Sequence, residues 1–184
     1  MPGQTLTVEV ADATGRLSDQ QVAYIARFVH AAANLLRVSG QLRVRVVDDA
    51  EMATAHEEFA GVPGTTDVLT FDLTDPEQIP DGRPLLTAET LFDARRPLEP
   101  VESDIFICVD EAGRQAAKRG YSVERELLLY VVHGLLHCLG LDDHDEEDFW
   151  LMHRMEDVIL ERIGVGRTFA GDERANSDGT GSCG

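Results

Sequence analysis

The segment VERELLLYVVHGLLHC, residues 123–138, limits what this chain can fold into more than any other stretch. Leucine and valine fill half of its positions and only three charged residues stand among them, all in the first turn, so a helix formed here is apolar nearly all round and belongs in an interior. Along one line of it, however, run Glu126, Tyr130, His133 and His137, spaced 4, 3 and 4 residues apart. That spacing puts all of them on one helical face. Buried polar groups need partners. The fold must therefore bury this helix and still bring hydrogen bonds, or an ion, to its polar stripe.

An ion fits the details. Two imidazoles one turn apart can ligate the same metal. Gly140, three residues after His137, lets the backbone turn back, and Asp142, Asp143 and His144 follow. A glycine at +3 and a ligand at +6 is the arrangement of the H-E-x-x-H-x-x-G-x-x-H zinc enzymes. On that spacing one zinc ion sits on His133, His137 and Asp143. The competing reading is a pair of core histidines satisfied by carbonyls or carboxylates. One difference bears on chemistry: the peptidases carry their general base, a glutamate, directly after the first histidine, and here that position is Gly134. A hydrolase built on this site needs its base from the ion's own water, from elsewhere in the chain, or from the substrate.

Other polar residues sort around that centre. Glu126, seven before His133 on the same face, is a candidate catalytic partner that orients an imidazole; otherwise it is a charge favoured by the dipole in a first helical turn. Asp67 reads as a turn cap or a site-facing acid. Asp145, Glu146, Glu147 and Asp148 read as the solvated start of a helix, and His30, His56 and His153 as surface or packing residues.

The remaining sequence describes one α+β domain over residues 1–168. Strand patterns occur at 5–12, 41–49, 65–73 and 104–110, the last apolar and hence central. Helix patterns occur at 18–40, with Ser18 as cap and Gly40 as stop, and at 49–59, 111–120, 122–140 and 145–164, with Ser122 capping the long helix. Phe149, Met152, Met155 and Ile159 form the apolar stripe of the last helix. A small mixed sheet of four strands packed on helices, with the histidine helix buried, follows from this order. Residues 73–102 hold five of the seven prolines and lack periodicity, so an irregular surface excursion is expected there. Residues 169–184 have almost no apolar content and are expected to be a disordered tail.

No apolar run approaches the roughly 20 residues of a membrane span, and the first residues lack the pattern of a signal peptide. Cysteines 108, 138 and 183 form neither a C-x-x-C pair nor a disulfide framework. A cytoplasmic protein is expected. The net charge of −18 opposes broad attraction to nucleic acid or anionic lipid, so any RNA binding has to come from a local site. Nothing in the sequence fixes an oligomeric state.

Over roughly residues 40–163 the chain resembles the YbeY family of bacterial rRNA maturation factors and metal-dependent endoribonucleases. The family hallmark H-G-x-L-H-L-x-G-Y-D-H stands here as HGLLHCLGLDD followed by His144. LRVRVVDDAEMATAHEEF resembles the family's strand and following helix, TTDVLTFDL its T-D-V-L-S-F strand, and SDIFICVDEAGRQAAKRGYSVERELL its G-D-I-x-I-S and E-R-E-L stretches. The resemblance implies a zinc-dependent endoribonuclease for single-stranded RNA, acting in 16S rRNA 3′-end maturation with the small ribosomal subunit or its proteins as partner. Two departures stand out. The family's third histidine falls on Asp143 when the last helix is aligned without a gap, whereas a one-residue insertion makes His144 the third ligand; Asp143 is preferred. The arginine that the family carries before T-D-V-L-S-F is Ala60 here, with Arg114, Arg119 and Arg125 as possible replacements. Two other readings remain: a different zinc hydrolase, such as a peptidase or amidase, and a ribosome-assembly factor whose metal is structural.

Overall fold

A computed structural model describes residues 6–79, 87 and 90–169. The tail expected over 169–184 lies outside these apart from Phe169, as does the middle of the 73–102 excursion. In chain order the elements are β1 (Leu6–Asp12), α1 (Asp19–Leu36), β2 (Val38–Val47), α2 (Asp49–Ala60), β3 (Val68–Asp72), a 3-10 turn (Pro76–Gln78), β4 (Glu99–Cys108), α3 (Val109–Arg119), α4 (Val123–Cys138) and α5 (Glu146–Arg162). The strands form one mixed sheet in the order β1-β2-β4-β3. β1, β2 and β4 run parallel, and β3 returns antiparallel along β4. The expected α+β fold is what forms.

Alternation along β2 and β4 decides which face carries the core. Leu42, Val44, Val46, Val101, Ile105 and Ile107 are buried together with Ile25, Val29 and Leu36 of α1 and the leucines and valines of α4. The opposite face holds the Arg43–Asp104 ion pair and is covered at one end by α2 through Met52. α4 is thus enclosed between the sheet, α1, α3 and α5. Its apolar circumference predicted this position.

Local signals explain most boundaries. Ser18 and Gln21 form a reciprocal capping box at the start of α1, satisfying donors that a helix start leaves free. Asp48 accepts from the Glu51 amide at 2.9 Å and so caps α2. Asp48→Ala is expected to lower stability by about 1 kcal/mol, read from chemical denaturation midpoints. Ser122 occupies the N-cap position of α4 but makes no side-chain cap bond. Gly40 does not end α1: the helix stops at Leu36, and Arg37 takes the left-handed turn at φ 55°. Gly40 instead lies within β2 beside Val101, where a Cβ would sit 2.3 Å from the Val101 carbonyl oxygen. It is a glycine for close strand approach, which a sequence pattern does not separate from a helix stop.

The last part of the 73–102 segment is more ordered than its proline content suggests. Leu91 and Arg96 are buried. Arg96 donates to the carbonyls of Leu91 and Leu36, and β4 begins at Glu99, five residues before the apolar run that announces it. At the other end of the chain, Met152, Met155 and Ile159 of α5 are buried as expected, while Phe149 is 40% exposed.

Candidate metal centre

One turn of α4 places His133 above His137, and the backbone then folds back. Gly140 adopts φ 88°, its amide bonding to the His137 carbonyl at 2.8 Å and the Leu141 amide to the Leu136 carbonyl at 3.1 Å. This turn carries Asp143 to the two rings. Asp143 Oδ2 lies 3.6 Å from His133 Nε2, and Oδ1 lies 3.7 Å from His137 Nε2. The two Nε2 atoms are 2.9 Å apart.

The other ring nitrogens are committed. His133 Nδ1 donates to Glu156 Oε1 at 2.6 Å, and His137 Nδ1 donates to the Leu141 carbonyl at 3.0 Å. A carboxylate and a carbonyl only accept, so both Nδ1 atoms carry the hydrogen and both Nε2 atoms present lone pairs. Two lone pairs facing each other beside a carboxylate repel unless a proton or a metal ion joins them. A tetrahedral ion with bonds of 2.0–2.1 Å sets its ligand atoms about 3.3 Å apart, and the spacings here bracket that value. His133, His137 and Asp143 could therefore hold a metal ion. His144, the alternative third ligand, points elsewhere: its ring is 86% exposed and bonds to Asp142.

α5 supplies what the sequence reading left out. Glu156 of α5 is buried against α4, and its second oxygen accepts from His153 Nδ1 at 2.7 Å. Burial pushes the Glu156 carboxyl up, but its hydrogen bonds to His133 and His153 outweigh that and hold it below the usual carboxylate range. The signal was present, since Glu156 falls four after Met152 and three before Ile159, inside the buried stripe.

Glu126 does not meet either imidazole. Seven residues along a helix return to the same face but climb about 10 Å, beyond hydrogen-bond reach of His133. Its carboxylate is wholly buried and pairs with Arg119 at 2.5 Å. Burial raises its pKa against the pull of Arg119. The Tyr130 hydroxyl, one turn further along α4 and buried with it, favours the charged carboxylate of Glu126. Asp67 serves both of its expected uses: it accepts from the Val68 amide, and it lines both clefts that flank the histidine pair. One cleft, about 440 Å³, lies between α3, α4 and α5; the other, about 400 Å³, follows the open edge of β3.

A model of the family described as Endoribonuclease YbeY matches residues 7–164. The chain is 34% identical over 157 residues to the Endoribonuclease YbeY of Mycobacterium tuberculosis, an alignment covering 85% of this chain and 82% of that relative. The protein of the same description from Rhodococcus erythropolis is also 34% identical, over 85% of this chain and 81% of its own length. This chain belongs to the YbeY family. A solution structure of TM1509 from Thermotoga maritima aligns over 97% of this chain and 99% of its own, with 18% identity and a TM-score of 0.48.

Ala60, where the resemblance places the family's arginine, is exposed at the end of α2 and lines neither cleft. Of the three arginines considered as replacements, Arg114 is held by Asp49 and Glu111. Arg125 lies over Tyr121 and bonds to the carbonyls of Gly166 and Arg167. Arg119 lines the larger cleft.

Proposed function

We propose that the protein is a zinc-dependent endoribonuclease that cuts single-stranded RNA, with the 3′ region of precursor 16S rRNA as its substrate and the cytoplasmic small ribosomal subunit as its setting. The observation that carries this reading is the pair of convergent Nε2 lone pairs, each fixed by a hydrogen bond at Nδ1, with Asp143 beside them. When bound, zinc supplies Lewis acidity toward a phosphoryl oxygen and acidifies a water molecule. The chain does the rest. Glu156 and the Leu141 carbonyl hold the rings in their ligating tautomer. Glu126 anchors Arg119 in the wall of the larger cleft, the one guanidinium of the three candidate arginines that a strand entering there meets.

The three ligand side chains are 17%, 30% and 32% exposed, an open side that suits substrate access more than a closed structural site. A peptidase reading lacks its base at Gly134. The net charge of −18 makes a ribosomal protein partner the natural route to RNA, because bulk electrostatics oppose the approach.

The test is cleavage of a single-stranded RNA carrying the small-subunit rRNA 3′ end, with chelator and with zinc restored. Cutting that chelator abolishes and zinc restores is expected. A protein that binds one zinc ion and leaves the RNA intact sinks the nuclease reading in favour of the assembly factor. Ligand choice is tested beside it by competition with a zinc chelator. Asp143→Ala is expected to weaken zinc binding by more than the roughly 10–100-fold that outer partners cost, and His144→Ala to change it by less than about twofold, as its ring faces solvent.

A further inference from the structure

His133 and Asp143 lie at one edge of the 440 Å³ cleft, and much of the rest of the cleft has no task in the metal chemistry. Its outer wall is aromatic. Trp150 and Phe149, near the start of α5, meet edge to face with centroids 5.5 Å apart. Phe149 meets the His153 ring at 4.2 Å, and His153 stacks on Phe169 at 4.0 Å. Arg119 lies over Phe169, 4.8 Å from its centroid. The rings form a continuous track from solvent to the cleft interior, and its outer members are open, Phe149 and Trp150 being 40% and 45% exposed. Two large exposed aromatics side by side at a cleft mouth mark a contact surface more than a core.

Charge selects what the track receives. Asp67, Glu111, Glu126 and Glu156 outnumber Arg119 in the lining, so a phosphate is repelled from the interior, whereas a neutral ring carrying N–H donors is favoured. Glu126 is already engaged by Arg119 and Tyr130, whereas Asp67 lines the cleft and is bonded to Thr66 and Val68 through Oδ1. Its Oδ2 is the acceptor that a donor arriving with a ligand meets. An RNA strand whose phosphate lies at the histidine pair brings a base to this cleft.

We propose that the cleft is a nucleobase subsite. An unpaired base next to the cleaved phosphodiester stacks on Phe149 and Trp150, and its N–H edge is read by the acids behind them. Guanine is preferred, because its imino and amino donors lie side by side. The proposal rests on the RNA-cleaving reading above, but its test reads binding and needs no turnover.

Trp150 is the only tryptophan of the chain, so intrinsic fluorescence reports on this cleft alone. The zinc-loaded protein is titrated with guanosine 5′-monophosphate, uridine 5′-monophosphate and ribose 5-phosphate, none of which contains a phosphodiester. Saturable quenching by the guanosine nucleotide is expected, with weaker binding of the uridine nucleotide and no response to ribose 5-phosphate. Phe149→Ala should weaken guanosine binding about tenfold, and Phe149→Tyr should restore it, since a stacking face is what the site supplies. An equal response to ribose 5-phosphate, or unchanged binding in Phe149→Ala, overturns the subsite. RNA cleavage without quenching also rejects it while leaving the nuclease intact. Base-dependent quenching without cleavage supports the subsite and rejects the nuclease.

Discussion

His133→Ala is expected to lose zinc and RNA cleavage together, and Glu156→Gln to lose most of both with every proposed ligand still in place. The first removes one of two convergent nitrogens, leaving a site that holds metal through His137 and Asp143 alone. The second is subtler. Glu156 accepts one hydrogen bond from His133 and one from His153, and a glutamine of the same shape can accept only one of them. Its amide N–H₂ must face the other imidazole, which then needs its lone pair at Nδ1 and its hydrogen at Nε2. Where that ring is His133, the nitrogen aimed at the metal becomes a donor. A loss of about 10–100-fold in zinc affinity follows, the range typical for partners that fix a ligand's tautomer. Competition with a chromophoric chelator measures it, and circular dichroism checks that the fold persists. Zinc affinity in Glu156→Gln equal to the parent's would show that Glu156 is only a packing residue.

Gly134 is the second site of large expected effect. A Cβ there would lie 2.5 Å from Thr70 Oγ1 on β3 and 2.9 Å from Ile105 Cδ1 on β4, so α4 rests on the sheet at this point with no room for a side chain. Gly134→Ala is expected to cost about 1–3 kcal/mol in overpacking, offset by about 1 kcal/mol of helix propensity. Gly134→Glu, which would reinstate the peptidase base, forces a carboxylate against Ile105 as well. Its melting temperature should fall by at least 10 °C, since each kcal/mol is worth roughly 2–4 °C at this size. Thermal melts of the two variants decide the matter. A Gly134→Glu protein as stable as the parent would mean that α4 can lift from the sheet. The missing base is thus a matter of packing as much as of chemistry.

How far the sequence could be read followed from the range of each interaction. Period and caps are local, so the sheet's alternating strands, the buried α4 and the cap at Ser18 were all legible. His133, His137 and Asp143 lie within eleven residues and one turn, and their spacing carried them. Glu126 looked equivalent on a helical wheel, which shows angle but conceals axial distance. Glu156 and His153 belong to a different helix, and their meeting with His133 depends on how α5 docks on α4, a tertiary fact. Gly40 and Phe149 failed for a related reason: the close approach of β2 to β4 and the projection of α5 past the core are properties of neighbours.

The whole histidine cluster, from His133 to Glu156, comes from one continuous stretch, and every strand of the sheet precedes it in the chain. During synthesis, domains take shape from the N-terminal end. β1 to β4 are therefore made before the first of these residues, and the long-range pairing of β2 with β4, the slow step in a topology of this kind, draws only on chain that precedes α4. A metal ion taken up by this cluster would meet residues made after every strand, so loading would report that the chain has been made through α5.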